Sequence, residues 1–123
     1  MATVLVVDTD EKHNRRVRKL LRLAGFATRK AVSLEDAEAM IRAKPPDLVI
    51  MDLFLPARSG LMFIRHMHKD FPSMPIIAMS AQAATAKTDY HRLAMDCGAA
   101  GVLSKPVSKL DLIAMAKDSV NNR

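Results

Sequence analysis

Short apolar runs alternate with helix-length amphipathic stretches along the whole chain, and few folds accommodate that order. Val4–Val7, Leu48–Met51, Ile76–Met79 and Gly101–Leu103 have the length and apolar content of strands buried on both faces, and Phe26–Ala31 reads as a weaker, edge-like strand. Val17, Leu20, Leu21 and Ala24 recur at helical spacing with Arg and Lys on the other faces, and Gly25 stops that helix. Ser33, with Asp36 three residues on, opens a second helix that the Pro45–Pro46 pair must end. Gly60 to Asp70 reads as a third helix closed by Phe71–Pro72, about Ala86 to Cys97 as a fourth capped by Gly98, and about Ser108 to Val120 as a fifth with Asp111 at N3. Five strand-then-helix repeats predict a doubly wound α/β domain: a five-stranded parallel sheet, order 2-1-3-4-5, with right-handed crossovers and helices on both faces.

Composition narrows the class further. The chain has 123 residues, half of them hydrophobic, which suits one domain over residues 1–123 whose core needs no covalent staple. Cys97 is the only cysteine, no charged-then-apolar leader opens the chain, and no apolar stretch is long enough to span a bilayer, so a cytoplasmic, non-membrane protein is expected. Nearly all of the net charge of +6 lies in residues 1–30, where eight Lys/Arg face three Asp/Glu. With one Tyr, four Phe and no Trp there is little to stack on bases, and no recognition-helix or zinc pattern accompanies the charge, so no nucleic-acid partner is expected.

In a doubly wound sheet, ligands bind beyond the carboxyl ends of the strands, beside the switch point between strands 1 and 3. Those ends carry Asp8 after the first strand, Asp52 after the third, Ser80 after the fourth and Lys105 near the end of the fifth, whereas the second ends in Ala31 and Val32. Two carboxylates held close repel, so one must protonate or a cation must lie between them. Magnesium suits such a pair, because it takes oxygen ligands and keeps one or two carboxylates with waters and a phosphate oxygen. An Asp carboxylate can itself accept a phosphoryl group as an acyl phosphate, with Lys105 offsetting charge and the Ser80 hydroxyl donating to an oxygen.

Four motifs then coincide: Val-Val-Asp8, Asp52-Leu-Phe-Leu-Pro56-Ala-Arg-Ser-Gly60, Ala78-Met-Ser80-Ala81 and Ser104-Lys105-Pro106. From Thr3 to about Val120 the chain resembles the receiver domain of bacterial two-component response regulators, of the single-domain type. The resemblance implies a flavodoxin-like (βα)5 fold with Asp52 as phosphoacceptor, Ser80 as switch hydroxyl and Lys105 contacting the phosphoryl oxygens. It implies that Asp8, Asp52 and the backbone carbonyl of Phe54 hold Mg2+, and that Lys105–Pro106 is a candidate cis peptide. The donor it implies is a sensor histidine kinase or a histidine phosphotransfer protein, with a further, unidentified protein partner downstream. The protein would be a monomer or weak dimer, and no enzyme beyond self-phosphorylation from small donors and autodephosphorylation. The basic stripe Arg15, Arg18, Lys19 and Arg22 on the first helix is expected to steer an acidic donor surface.

Two positions depart from the family pattern. Thr9 stands where a second acid is usual, so Mg2+ binding is expected to be weak; Asp10, one residue further on, either reaches the metal or caps the first helix, the favoured reading. Val102 stands where a Tyr or Phe is usual, so no ring there can swing inward when Ser80 moves. These departures keep open a pseudo-receiver that binds a partner without phosphorylation. A third reading is a dehalogenase-like phosphatase, with Asp8 as nucleophile and Asp10 as acid; it leaves Asp52 and Gly60 unexplained. Flavin binding is disfavoured by the acidic segment Asp8 to Lys12.

Overall fold

Each strand is a run of side chains that pack on both faces of a pleat, and most helices open on a short polar residue that satisfies a first-turn amide. The computed structural model describes residues 1–54, 59–81 and 87–122. Its elements are β1 (Thr3–Val7), α1 (Glu11–Leu23), β2 (Ala27–Ala31), α2 (Leu34–Ala43), β3 (Leu48–Asp52), α3 (Gly60–Asp70), β4 (Ile76–Ser80), α4 (Lys87–Cys97), β5 (Gly101–Ser104) and α5 (Lys109–Asn121). The strands pair in parallel in the order β2-β1-β3-β4-β5, as the alternation predicts. Val7 pairs with Met51, Asp52 with Met79 and Ser80 with Ser104, so the carboxyl ends of β1, β3, β4 and β5 finish almost level.

Alternation along β1 divides the core in two. Leu5 and Val7 join Ala37 and Ile41 of α2, Phe63, Ile64 and Met67 of α3 and Ala94 of α4. Val4 and Val6 point the other way, onto Val17 and Leu21 of α1 and Leu112 and Ala116 of α5. Of the methionines, Met51, Met67, Met74 and Met79 are buried core filler, while Met62 and Met95 are exposed.

Local chemistry sets the boundaries. Asp10, Ser33, Ser59 and Ser108 cap α1, α2, α3 and α5 by accepting first-turn amides. Gly98 follows α4 with φ +117°, where a side chain would be strained and a Cβ would also collide with the His68 ring. Several boundaries differ from the sequence expectation, β1 starting at Thr3 and β5 reaching Ser104 among them. β3 and β4 each run one residue longer and take Asp52 and Ser80 into the sheet. β2 starts at Ala27 because the Phe26 amide turns back to the Leu21 carbonyl (3.0 Å) and closes α1. Ala86 and Pro56, the expected helix start and loop proline, lie outside the described residues.

One polar side chain joins three elements. Asn14, fully buried in the first turns of α1, donates from Nδ2 to the carbonyls of Asp8 (3.1 Å) and Ala31 (3.2 Å), just past β1 and at the end of β2. Its Oδ1 accepts from Arg18 Nε at 2.7 Å. Asn14→Ala would leave buried carbonyls without this donor and is expected to lower stability by about 1–3 kcal/mol. The exposed Lys19→Ala should stay within about 0.5 kcal/mol of the parent. Urea unfolding of the two variants checks the contrast, and equal midpoints would refute the joining role of Asn14.

Candidate functional site

β1 and β3 are neighbours, so Asp8, which follows β1, and Asp52, the last residue of β3, come to the same part of the sheet edge. Both are buried. Lys105 arrives from beyond β5, and its Nζ lies 2.9 Å from Asp52 Oδ2, 3.2 Å from Asp8 Oδ2 and 3.4 Å from Asp8 Oδ1. The ammonium thereby bridges the two carboxylates and offsets their repulsion. Burial alone would push the Lys105 pKa down, but the hydrogen bond and charge of Asp52, with those of Asp8, outweigh it and raise the pKa above the ordinary lysine value.

Backbone contacts hold the remaining parts. The Lys105 amide donates to the Ser80 carbonyl at 2.8 Å, and the Lys105–Pro106 peptide is cis, as the resemblance implied. Ser80 is buried at the end of β4, one residue beyond the pairing partner of Asp52. The Phe54 amide donates to Asp52 Oδ1 at 3.0 Å, which keeps that peptide beside the acid. The Phe54 ring meets Tyr90 of α4 edge to face, with centroids 4.8 Å apart. Gly60 opens α3 directly against the Leu53 carbonyl, where a Cβ would clash with backbone. Gly60 therefore permits a close approach of the chain as well as shaping a turn.

The expected residues do not all converge. Asp8, Asp52 and Lys105 are in direct contact, with Phe54 and Ser80 alongside. The exposed Asp10 is a helix cap: its Oδ1 accepts from the amides of Lys12 (3.1 Å) and His13 (3.2 Å). The His13 amide, followed by the Lys105 charge, holds the Asp10 carboxyl below its ordinary value. Thr9 is exposed. In the basic stripe, Arg18 is hydrogen-bonded to Asn14 and Arg22 to Thr28, so two of its four cations are anchored within the fold.

Two residues escaped the sequence reading. His13 is 9% exposed and its Nδ1 lies 2.7 Å from Asp8 Oδ2, while Asn14 holds the Asp8 carbonyl. Both fall in the polar run Glu11-Lys12-His13-Asn14-Arg15-Arg16 and look solvated. The signal that would have found them is spacing: His13 stands four before Val17 and eight before Leu21, and Asn14 three and seven before them, so both continue the apolar stripe.

The fold is of the flavodoxin-like class. The response regulator receiver domain family matches residues 4–117, and the chain belongs to that family. It is 29% identical over 117 residues to the phosphate regulon transcriptional regulatory protein PhoB of Pseudomonas aeruginosa, covering 94% of this chain and 50% of that protein. It is 32% identical over 106 residues to the KDP operon transcriptional regulatory protein KdpE of Escherichia coli K12, covering 86% of this chain and 45% of that protein. The chain thus spans half or less of the length of these curated relatives. Among solved structures, the receiver domain of NtrX from Brucella abortus superposes with a TM-score of 0.90 at 26% identity, covering 98% of this chain and 99% of that one. A response regulator receiver domain protein of Clostridium thermocellum superposes with a TM-score of 0.89 at 28% identity, covering 98% and 95%. Receiver domains are the signalling switches of two-component systems. No helix among the described residues is long and apolar enough to cross a membrane.

Removing the bridging cation tests this electrostatic arrangement. Lys105→Met leaves Asp8 and Asp52 facing each other without a cation, so the metal-free variant should melt below wild type. A raised lysine pKa contributes stability that is fully present below the unfolded value, near 10.5, and is lost as pH rises through the higher folded value. The wild-type margin over the variant should therefore hold below pH 10.5 and shrink above it. Thermal melts across the alkaline range read this margin, and one that stayed level would contradict the bridging role.

Proposed function

We propose that this chain is the phosphoacceptor switch of a two-component phosphorelay, receiving a phosphoryl group on Asp52 from the phosphohistidine of a sensor histidine kinase or a histidine phosphotransfer protein. The observation that carries the reading is Asp52 itself, a buried carboxylate ending the central strand with the Lys105 ammonium at 2.9 Å and Asp8 on the neighbouring strand end. In the transfer, a carboxylate oxygen of Asp52 attacks phosphorus; the O–P bond forms as the P–N bond of the donor breaks, and the leaving imidazole takes up a proton. Lys105 neutralises charge on the transferred group, and the Ser80 hydroxyl donates to one of its oxygens. The downstream partner is a protein that distinguishes the two states of Asp52, and the switch works in the cytoplasm as a monomer or weak dimer.

The donor set also suits magnesium. Two carboxylates already converge on one cation, the Lys105 ammonium, and both are hard oxygen donors of the kind Mg2+ takes one or two at a time. Asp8, Asp52 and the Phe54 carbonyl would hold the ion, with Asp10 engaged in its cap. When bound, Mg2+ offsets negative charge on the phosphoryl oxygens and the acceptor. The exposed Thr9 supplies no carboxylate, which favours weak binding in the absence of a phosphoryl group, and in the limit a pseudo-receiver.

Intact-mass analysis after incubation with phosphoramidate and Mg2+ should show the gain of one phosphoryl group in wild type and none in Asp52→Asn. No gain in wild type favours the pseudo-receiver; a gain that survives in Asp52→Asn and disappears in Asp8→Asn favours the phosphatase. Thr9→Asp should tighten Mg2+ binding by adding a charged oxygen ligand, and the added repulsion should lower the melting temperature of the metal-free protein. Matching Mg2+ titrations of Thr9→Asp and wild type would show that the residue at position 9 does not limit the affinity.

A further inference from the structure

His13 is a polar residue in a place that packing alone does not explain. It stands in the first turn of α1, 9% exposed, and its Nε2 is buried with no hydrogen-bond partner among the described residues. Leaving such an atom unpaired costs free energy that an apolar side chain at the same point of the stripe would avoid. The other ring nitrogen is engaged: Nδ1 lies 2.7 Å from Oδ2 of the fully buried Asp8. A carboxylate only accepts hydrogen bonds, so Nδ1 donates the proton in this contact. The Asp10 amide donates to the opposite oxygen, Asp8 Oδ1, at 2.9 Å. Asp8 is therefore gripped at both oxygens from the N-terminal turn of α1, while Lys105 approaches from beyond β5.

We infer that His13 is a positioning residue for the metal carboxylate: its Nδ1–H fixes Asp8 in the orientation that turns its oxygens toward Lys105 and Asp52, where Mg2+ would be held. The inference rests on the proposal that Asp8 and Asp52 hold the ion. Its physical basis is the general behaviour of ligating carboxylates, which bind better when a neighbouring donor fixes them before the metal arrives. That contribution matters more here than in a site with a further acid, because Thr9 supplies none and each oxygen of Asp8 carries a larger share of the binding. His13 acts through Asp8 and need not touch the metal or the phosphoryl group.

Three variants separate positioning from space filling, read by calorimetric Mg2+ titration of the full chain without phosphodonor. His13→Leu keeps the bulk and removes the donor; its Mg2+ affinity should fall about tenfold. His13→Asn carries an amide N–H as many bonds from Cα as Nδ1 and should restore most of the affinity. His13→Gln carries its amide nearer the place of Nε2 and should behave like Leu. Wild-type affinity in His13→Leu, or an Asn variant no better than Leu, overturns the inference. Long-range 1H–15N correlation of the metal-free wild type gives a reading that needs no variant to fold: a proton on Nδ1 supports the inference, and a bare Nδ1 overturns it. Failure of wild type to bind Mg2+ would overturn both the metal site and this role for His13. Normal wild-type binding that is indifferent to residue 13 would overturn the role of His13 alone.

Discussion

The ammonium of Lys105 lies within 3.4 Å of oxygens from two acids on neighbouring strand ends, and most of the molecule's geometry serves to bring those three groups together. β4 separates β3 from β5, so the lysine side chain crosses the end of β4 to reach Asp52, and the hydrogen bond from its own amide to the Ser80 carbonyl fixes where that crossing starts. Two carboxylates facing one ammonium repel each other wherever that ammonium does not reach, so its position governs the electrostatics of the whole edge.

The first turn of α1 is the second organising feature, and it works by dividing labour among adjacent residues. Asp10 caps the helix, His13 holds the Asp8 side chain, and Asn14 holds the Asp8 carbonyl together with that of Ala31. Arg18, one turn on, completes the chain of contacts by bonding Asn14, and the Arg16 guanidinium reaches the Val107 carbonyl at 2.7 Å, on the far side of the Lys105–Pro106 peptide. A basic helix that looks solvated in sequence therefore anchors two loops of the site edge. Its charge near Asp8 belongs partly to the fold, through Arg16 and Arg18, whereas Arg22 of the stripe bonds Thr28 at the other end of the helix.

The architecture was legible because hydrophobic period is a backbone-level signal. Apolar runs flanked by Gly, Pro and capping Ser gave the five repeats, and the rule that ligands lie beyond strand ends then singled out Asp8, Asp52, Ser80 and Lys105. Those rules say nothing about side chains that reach sideways. His13 and Asn14 were missed because a polar residue on a helix is read as exposed unless its spacing is compared with the buried stripe. Asp10 has two readings for a related reason, since a carboxylate just after a strand is within reach of both a helix terminus and a strand-end site, and the cap is the favoured one. The structure places it on the amides of Lys12 and His13. Phe26 was assigned to β2 on its apolar character, yet its amide closes α1, a backbone bond that composition cannot foretell.

The same limit bears on how a change at Asp52 is felt elsewhere. Sequence alone showed that residue 102 is valine, and the structure buries it at 7% exposure in the core between the sheet and α2, α3 and α4, as an aliphatic side chain. An aromatic contact is made instead by Phe54, two residues past Asp52. Asp52 Oδ1 accepts the Phe54 amide, and the Phe54 ring meets Tyr90, which itself packs on the core from α4. Two contacts therefore separate the acid from an outer helix, and neither involves β5. Among the described residues, the contact between Phe54 and Tyr90 therefore joins the Asp52 end of β3 to α4 directly.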